Sequence, residues 1–204
     1  EIFGSAYAQY IKLQADFRYY HNYDEATVLA TRIFLGFGLP YGNSQHLPNI
    51  KQFFSGGSSS LRGFSSRLVG PGTFNEQFQQ GSHTFVEMLG DMKLEANAEL
   101  RMKIYQFIHA AVFADAGNIW LYRDNPDFPG GTFSSRFYQE LAVDAGLGLR
   151  FDFSILILRL DLGIPLRKPW YPEGTRWQFN NIRLGDAAWR GDNLFLNLAI
   201  GYPF

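Results

Sequence analysis

The chain has 204 residues, with 18 Lys and Arg against 19 Asp and Glu, so it offers neither a polybasic face for nucleic acid nor an acidic tail. It has no cysteine, which excludes a thiolate enzyme, a Cys-ligated zinc or iron–sulfur centre and any disulfide. Aromatic residues make up 17%, including 20 Phe and 11 Tyr, a content that fits rings held at two membrane interfaces. No apolar run reaches the length of a transmembrane helix. The opening EIFGSAYAQY has neither the basic start nor the apolar core of a signal peptide. Glu1 is therefore not expected to begin the gene product, and a targeting signal is expected outside this sequence.

In chain order, the dominant pattern is strict alternation. Residues 7–20 place Ile11, Leu13, Ala15, Phe17 and Tyr19 opposite Lys12, Gln14, Asp16 and Arg18. Residues 27–41 group Leu29, Ile33, Leu35, Phe37 and Leu39, with Arg32, Gly36 and Gly38 on the reverse. The clearest stretch is 91–104. There Met92, Leu94, Ala96, Ala98, Leu100, Met102 and Ile104 alternate with Asp91, Lys93, Glu95, Asn97, Glu99, Arg101 and Lys103. A helix, with period 3.6, would mix the two sets, so period two predicts a strand.

Residues 108–120 alternate less cleanly and end near Asp115-Ala116-Gly117-Asn118. Residues 141–153 set Val143, Leu147, Leu149 and Phe151 against Asp144, Gly146, Gly148 and Arg150. Residues 154–166 set Leu156, Leu158, Leu160 and Leu162 against Arg159 and Asp161. At the end, Leu194, Leu196, Leu198, Ile200, Tyr202 and Phe204 share a face. Pro203 cannot donate to a ladder, so pairing there is predicted to be short or frayed.

The connections alternate in length: short at 21–26, 105–107 and 153–154, long at 42–90, 121–140 and 167–191. Tight turns on one side and long loops on the other are the pattern of a transmembrane antiparallel β-barrel. A β-sandwich has no reason to put every long loop at one end. Seven strands are visible, while bacterial single-chain barrels generally have an even number. More strands are therefore expected before residue 1, and Phe204 is expected to end the last one.

The loop 42–90 contains FFSGGSSSLRGF at 53–64 and GPG at 70–72. No Gly-Lys-Ser/Thr sequence accompanies its glycines, which argues against a nucleotide site. These residues resemble the inward-folded loop of the BamA/TamA superfamily of outer-membrane assembly and translocation barrels. VFADAGNIW at 112–120, LAVDAGLGLRFDFSILILRLDLGIPL at 141–166 and LFLNLAIGYPF at 194–204 match further segments of that family in order. The resemblance implies an all-β barrel of sixteen strands, with residues 1–204 as the C-terminal seven, preceded by periplasmic POTRA domains. It also implies a multi-pass location in the bacterial outer membrane.

Carried over residue by residue, the resemblance assigns Arg62, with Gly63 and Phe64, to a clamp inside the lumen, and Glu99 and Asp115 to its acidic partners. Parity independently puts Glu99 on the polar face of its strand. Leu198, Ile200, Tyr202 and Phe204 become a recognition stripe on the terminal strand.

The implied function is insertion of β-barrel proteins through a laterally opening seam. The implied partners are unfolded outer-membrane clients, outer-membrane lipid and lipopolysaccharide, and accessory lipoproteins or periplasmic subunits. No nucleic acid and no cofactor are expected. A polypeptide-secretion transporter of the same superfamily and a passive porin are the alternatives. No enzyme is expected, because His21, His46, His83 and His109 lie apart and form no recognised catalytic spacing. The aromatic loop 167–191 is left open between a partner, a lipid and the external interface.

Overall fold

A computed structural model describes residues 7–44, 46–75 and 87–204. His83 and the stretch 76–86 of the predicted loop lie outside the described residues. Seven antiparallel strands form a single sheet in chain order: β1 (Tyr10–Asn22), β2 (Thr27–Pro40), β3 (Met92–Tyr105), β4 (Ile108–Trp120), β5 (Ala142–Asp152), β6 (Ile157–Arg167) and β7 (Phe195–Ile200). Neighbouring strands in sequence are neighbours in space, as hairpin connections dictate. Register is continuous along most ladders, for example Leu100↔Val112, Ala98↔Ala114 and Ala96↔Ala116 between β3 and β4. The long predicted loop 167–191 contains one short α-helix, α1 (Ala187–Asn193), whose start is capped by the Asp186 carboxylate accepting from the Ala188 amide at 2.9 Å.

Burial on this sheet is the reverse of that in a water-soluble one. On β3 the polar set is inside: Glu95 and Glu99 are fully buried, and Asn97 and Arg101 nearly so. The apolar set faces outward, and on β7 Leu196 and Ile200 are 72% and 77% exposed. The charged face is buried because the long connection between β2 and β3 folds back across it. Residues of that connection form two small apolar clusters against the sheet. One joins Phe53, Phe74, Met88 and Ile119; the other joins Leu61, Phe64, Val69 and Ala142.

The expectation of a closed transmembrane barrel, and with it of a multi-pass outer-membrane location, is corrected here. Among the described residues the sheet is open: β1 pairs only with β2, β7 pairs only with β6, and no ladder joins β1 to β7. The sequence-based reading inferred closure from alternation and loop lengths, which are properties of strands and hairpins and do not by themselves bring the two edges together. No helix among the described residues is long and apolar enough to cross a membrane, a statement that concerns helices alone.

The terminal strand is short, as Pro203 leads one to expect, but it ends before the proline and before Phe204. Its ladder ends at Ile200, and Gly201 takes φ +85°, a region where glycine carries no side-chain penalty. The Gly201 amide still donates to Ile157 O at 2.8 Å, after which the chain leaves the ladder. The turn begins at Gly201, two residues before the proline.

Candidate functional site

The inner face is shaped by missing side chains. A Cβ at Gly36 would lie 2.6 Å from the Phe53 ring, and one at Gly38 would lie 2.5 Å from Leu47. On β6, a Cβ at Gly163 would come within 2.8 Å of Arg62 O and the Gly63 nitrogen. Glycines on β2 and β6 thus leave room for the loop, whose side chains fill the space at Gly36 and Gly38 and whose backbone lies on the sheet at Gly163. The loop is also stitched to itself and to the sheet. Phe53 exchanges backbone bonds with Gly90 at 2.7 and 2.9 Å, Gly57 donates to Phe64 O at 2.9 Å, and the Gly72 amide donates to Ile119 O of β4 at 2.8 Å.

Arg62 sits at the centre of this contact and is 1% exposed. Its Nε and Nη2 donate to the two oxygens of Asp115 at 2.8 and 2.9 Å, a bidentate fork, and its backbone amide adds a third bond at 3.2 Å. Its Nη1 donates to Glu99 Oε2. The guanidinium carbon of Arg62 lies over the Phe113 ring, 3.6 Å from its centroid. Burial acts against the arginine's charge, but the Asp115 hydrogen bonds and the charges of Asp115, Glu99 and Asp161 outweigh it, and the pKa moves upward. The clamp cation therefore does not titrate.

The two acids are themselves held. Asn97 Nδ2 bridges Asp115 Oδ1 at 3.0 Å and Ser60 O at 2.9 Å. Glu99 receives Arg150 Nη2 at 2.8 Å and Arg101 Nε at 2.7 Å, and Arg150 continues to Asp161 at 2.6 Å. Asn197 of β7 donates to Arg62 O at 2.9 Å, and Arg159 of β6 donates to Ser58 O at 2.7 Å. Strands β3 to β7 all contribute to one network around the loop.

The structure brings Arg62, Glu99 and Asp115 together, with Gly63 against β5 and β6 and Phe64 buried edge-on to Trp170 at 6.0 Å. It does not keep the terminal stripe together. Leu198 and Ile200 lie exposed on the outer face, whereas Phe204 is 7% exposed and Arg101 stands 4.1 Å from the centre of the Tyr202 ring.

Several members of the network were not singled out from the sequence. Glu95 accepts from Ser55 Oγ at 2.8 Å and also from Ser60 Oγ, giving the loop a second acidic anchor. It shares the polar parity of Glu99, so the signal was present. Phe113 explains why 108–120 alternates poorly: an aromatic ring occupies an inward position because it lies under Arg62. Asp144 and Arg150 lie on the same inward face. Among the described residues no group of three or more metal-ligating side chains comes together. The arrangement is a clamp made of charge-assisted hydrogen bonds.

Residues 2–181 match the model of the Omp85 superfamily domain. A stretch of 158 residues is 28% identical to the outer membrane protein assembly factor BamA of Neisseria meningitidis serogroup B, covering 68% of this chain and 19% of that protein. The fold resembles the crystal structure of BamA from Haemophilus ducreyi lacking POTRA domains 1–3, with a TM-score of 0.61 at 19% identity over 95% of this chain and 35% of that one. It also resembles CdiB from Acinetobacter baumannii, with a TM-score of 0.52 at 14% identity over 96% of this chain and 27% of that one. The chain thus spans well under half the length of each of these proteins.

Proposed function

Because this chain belongs to the Omp85 superfamily, we propose that it serves the assembly and insertion of β-barrel proteins into the bacterial outer membrane. The incoming client strand is templated on an open edge of the sheet. The observation that supports this reading is the short β7 ladder, released at Gly201 among the described residues. A sheet edge presents a row of free N–H and C=O groups, and an extended segment can add to it by β-augmentation. The β7 edge suits exchange because its ladder is only 6 residues long and is released at Gly201. The Arg62 clamp ties the loop to the inner face through Asp115 and Glu99. The role is non-catalytic. Its partners are unfolded outer-membrane proteins, with membrane lipid, lipopolysaccharide and accessory subunits as surroundings.

These 204 residues contain no cysteine, which makes the test direct. Single cysteines are placed along β1 and β7, and one in the last strand of a client, and disulfide yields are read during client folding. Crosslinks that map a continuous register along one edge support the reading. Yields no higher than at central positions on β3 and β4 would refute it, as would crosslinks confined to inward positions, which point to passage along the inner face.

A further inference from the structure

We propose that Asp144 is a positioning residue of the loop site and keeps its proton while the loop is docked, its carboxyl O–H donating to Asp115. The two residues are direct cross-strand partners on β4 and β5, with both side chains on the inner face and both effectively sealed from solvent, at 1% and 0% exposure. Asp115 is held as a carboxylate by donors from Arg62 and Asn97. Asp144 is not: among the described residues neither of its oxygens has a hydrogen-bond donor, and no cation lies within ion-pair distance. The Gly63 amide faces it without meeting the geometry of a hydrogen bond. A buried carboxylate without donors, set beside another carboxylate, is strongly disfavoured, and protonation removes both penalties. Burial and the charge of Asp115 act together in that direction. As an acid, Asp144 gains an acceptor in Asp115 and turns a repulsive contact into a bond.

The loop closes this arrangement. A Cβ at Gly63 would lie 2.4 Å from the Asp144 Cβ, so the loop backbone itself covers the carboxyl. Withdrawing the loop admits water, and the carboxyl then ionises in its ordinary range. The charged groups facing Asp144 are few. From the loop comes Arg62, committed to Asp115 and Glu99. From β4 comes Asp115 itself. From β6 the opposite position is Pro165, while Asp161 is paired with Arg150, and Arg167 donates to the carbonyls of Leu141 and Gln139. From β3, Glu99 is taken up by its three arginines. None of these replaces the proton.

The docked state therefore holds one proton more than the released state at any pH between the ordinary carboxylate range and the raised value. Docking is strongest at and below the ordinary range and weakens as pH rises through the window, by up to about tenfold per pH unit for one proton.

The experiment is amide hydrogen exchange of residues 56–66 from about pH 4 to pH 9, corrected for the intrinsic pH dependence of exchange. It is done on the unmodified protein and on Asp144→Asn, whose side-chain amide supplies the donor without titrating. The expected result is loop opening that rises with pH in the unmodified protein and a flat profile in Asp144→Asn. Infrared difference spectra at neutral pH should show a protonated-carboxyl band that the variant lacks. Equal slopes in the two proteins, or no band lost, would overturn the proposal. Should Asp144→Asn fail to fold, a flat profile in the unmodified protein overturns it equally. The inference needs only the docked loop, so it stands or falls independently of which client, if any, pairs with the sheet edges.

Discussion

Replacing Arg62 by Ala strands one acid more than the other. Glu99 keeps Arg150 and Arg101, whereas Asp115 keeps no cation, only Asn97, a backbone amide and the proposed Asp144 O–H. Breaking a buried pair by removing one partner costs about 3–5 kcal/mol. Denaturant unfolding of Arg62→Ala should show a loss of that order, with faster exchange in 56–66. Arg62→Lys should recover only part of it, since an ammonium cannot make the fork. In double-mutant cycles the coupling of Arg62 to Asp115 should exceed its coupling to Glu99. The glycines give a second test. A Cβ at Gly148 would lie 2.4 Å from both Arg150 Nη1 and Asp161 Oδ1, so Gly148→Ala should destabilise by about 1–3 kcal/mol. Gly191 in α1 has nothing within 4 Å, and Gly191→Ala should stabilise by up to about 1 kcal/mol. Unfolding midpoints of the two variants, moving in opposite directions, check both. At this scale the sequence was informative about charge and poor about contact. Motif and parity together pointed to Arg62 and Glu99, but nothing local says that Glu95 meets Ser55 or that Asp144 lacks a donor. Those facts depend on where a distant loop comes to rest.

Among the elements, β7 and the residues after it behave as two parts. Phe195–Ile200 is a ladder with an exposed apolar face, and beyond Gly201 the rings of Tyr202 and Phe204 gather near Arg101, at 4.1 and 5.8 Å. Arg101 also bonds Glu99, so the terminal rings reach the clamp through one intermediate residue. Tyr202→Leu should cost about 0.5–2 kcal/mol through loss of the ring over the guanidinium. That loss should vanish when Arg101 is already Leu, as a double-mutant cycle by denaturant unfolding would show. Alternation revealed the seven strands well because period two is a local property. It misplaced Tyr202 and Phe204 because parity assumes that a strand continues, and a single glycine with positive φ ends that assumption. The same logic concealed the inward side of β4, where Phe113 occupies a position that parity alone would give to a polar residue.

At the scale of the whole molecule, the polar side of the sheet is sealed by its own loop and the apolar side is bare. An exposed surface of this kind, with Leu147, Leu162, Leu196, Leu198 and Ile200 all open, is far from what a monomer carries in water. Sedimentation should show self-association in plain buffer and a single small species once a non-ionic detergent is added. A monodisperse protein in buffer alone would contradict this. The open sheet was the whole-molecule feature that the sequence did not disclose, since period-two alternation and loop length are the same whether or not the outermost strands are paired. The inversion of burial has a further consequence for how this chain tolerates change. In a saturation library, the residues that look like surface, such as Glu95, Asn97, Glu99 and Asp144, should be the intolerant ones. The leucines should drift freely among Ile, Val, Met and Phe. A substitution matrix trained on water-soluble proteins would rank these positions in reverse order, and the size of that reversal, strand by strand, would trace which stretches the loop protects.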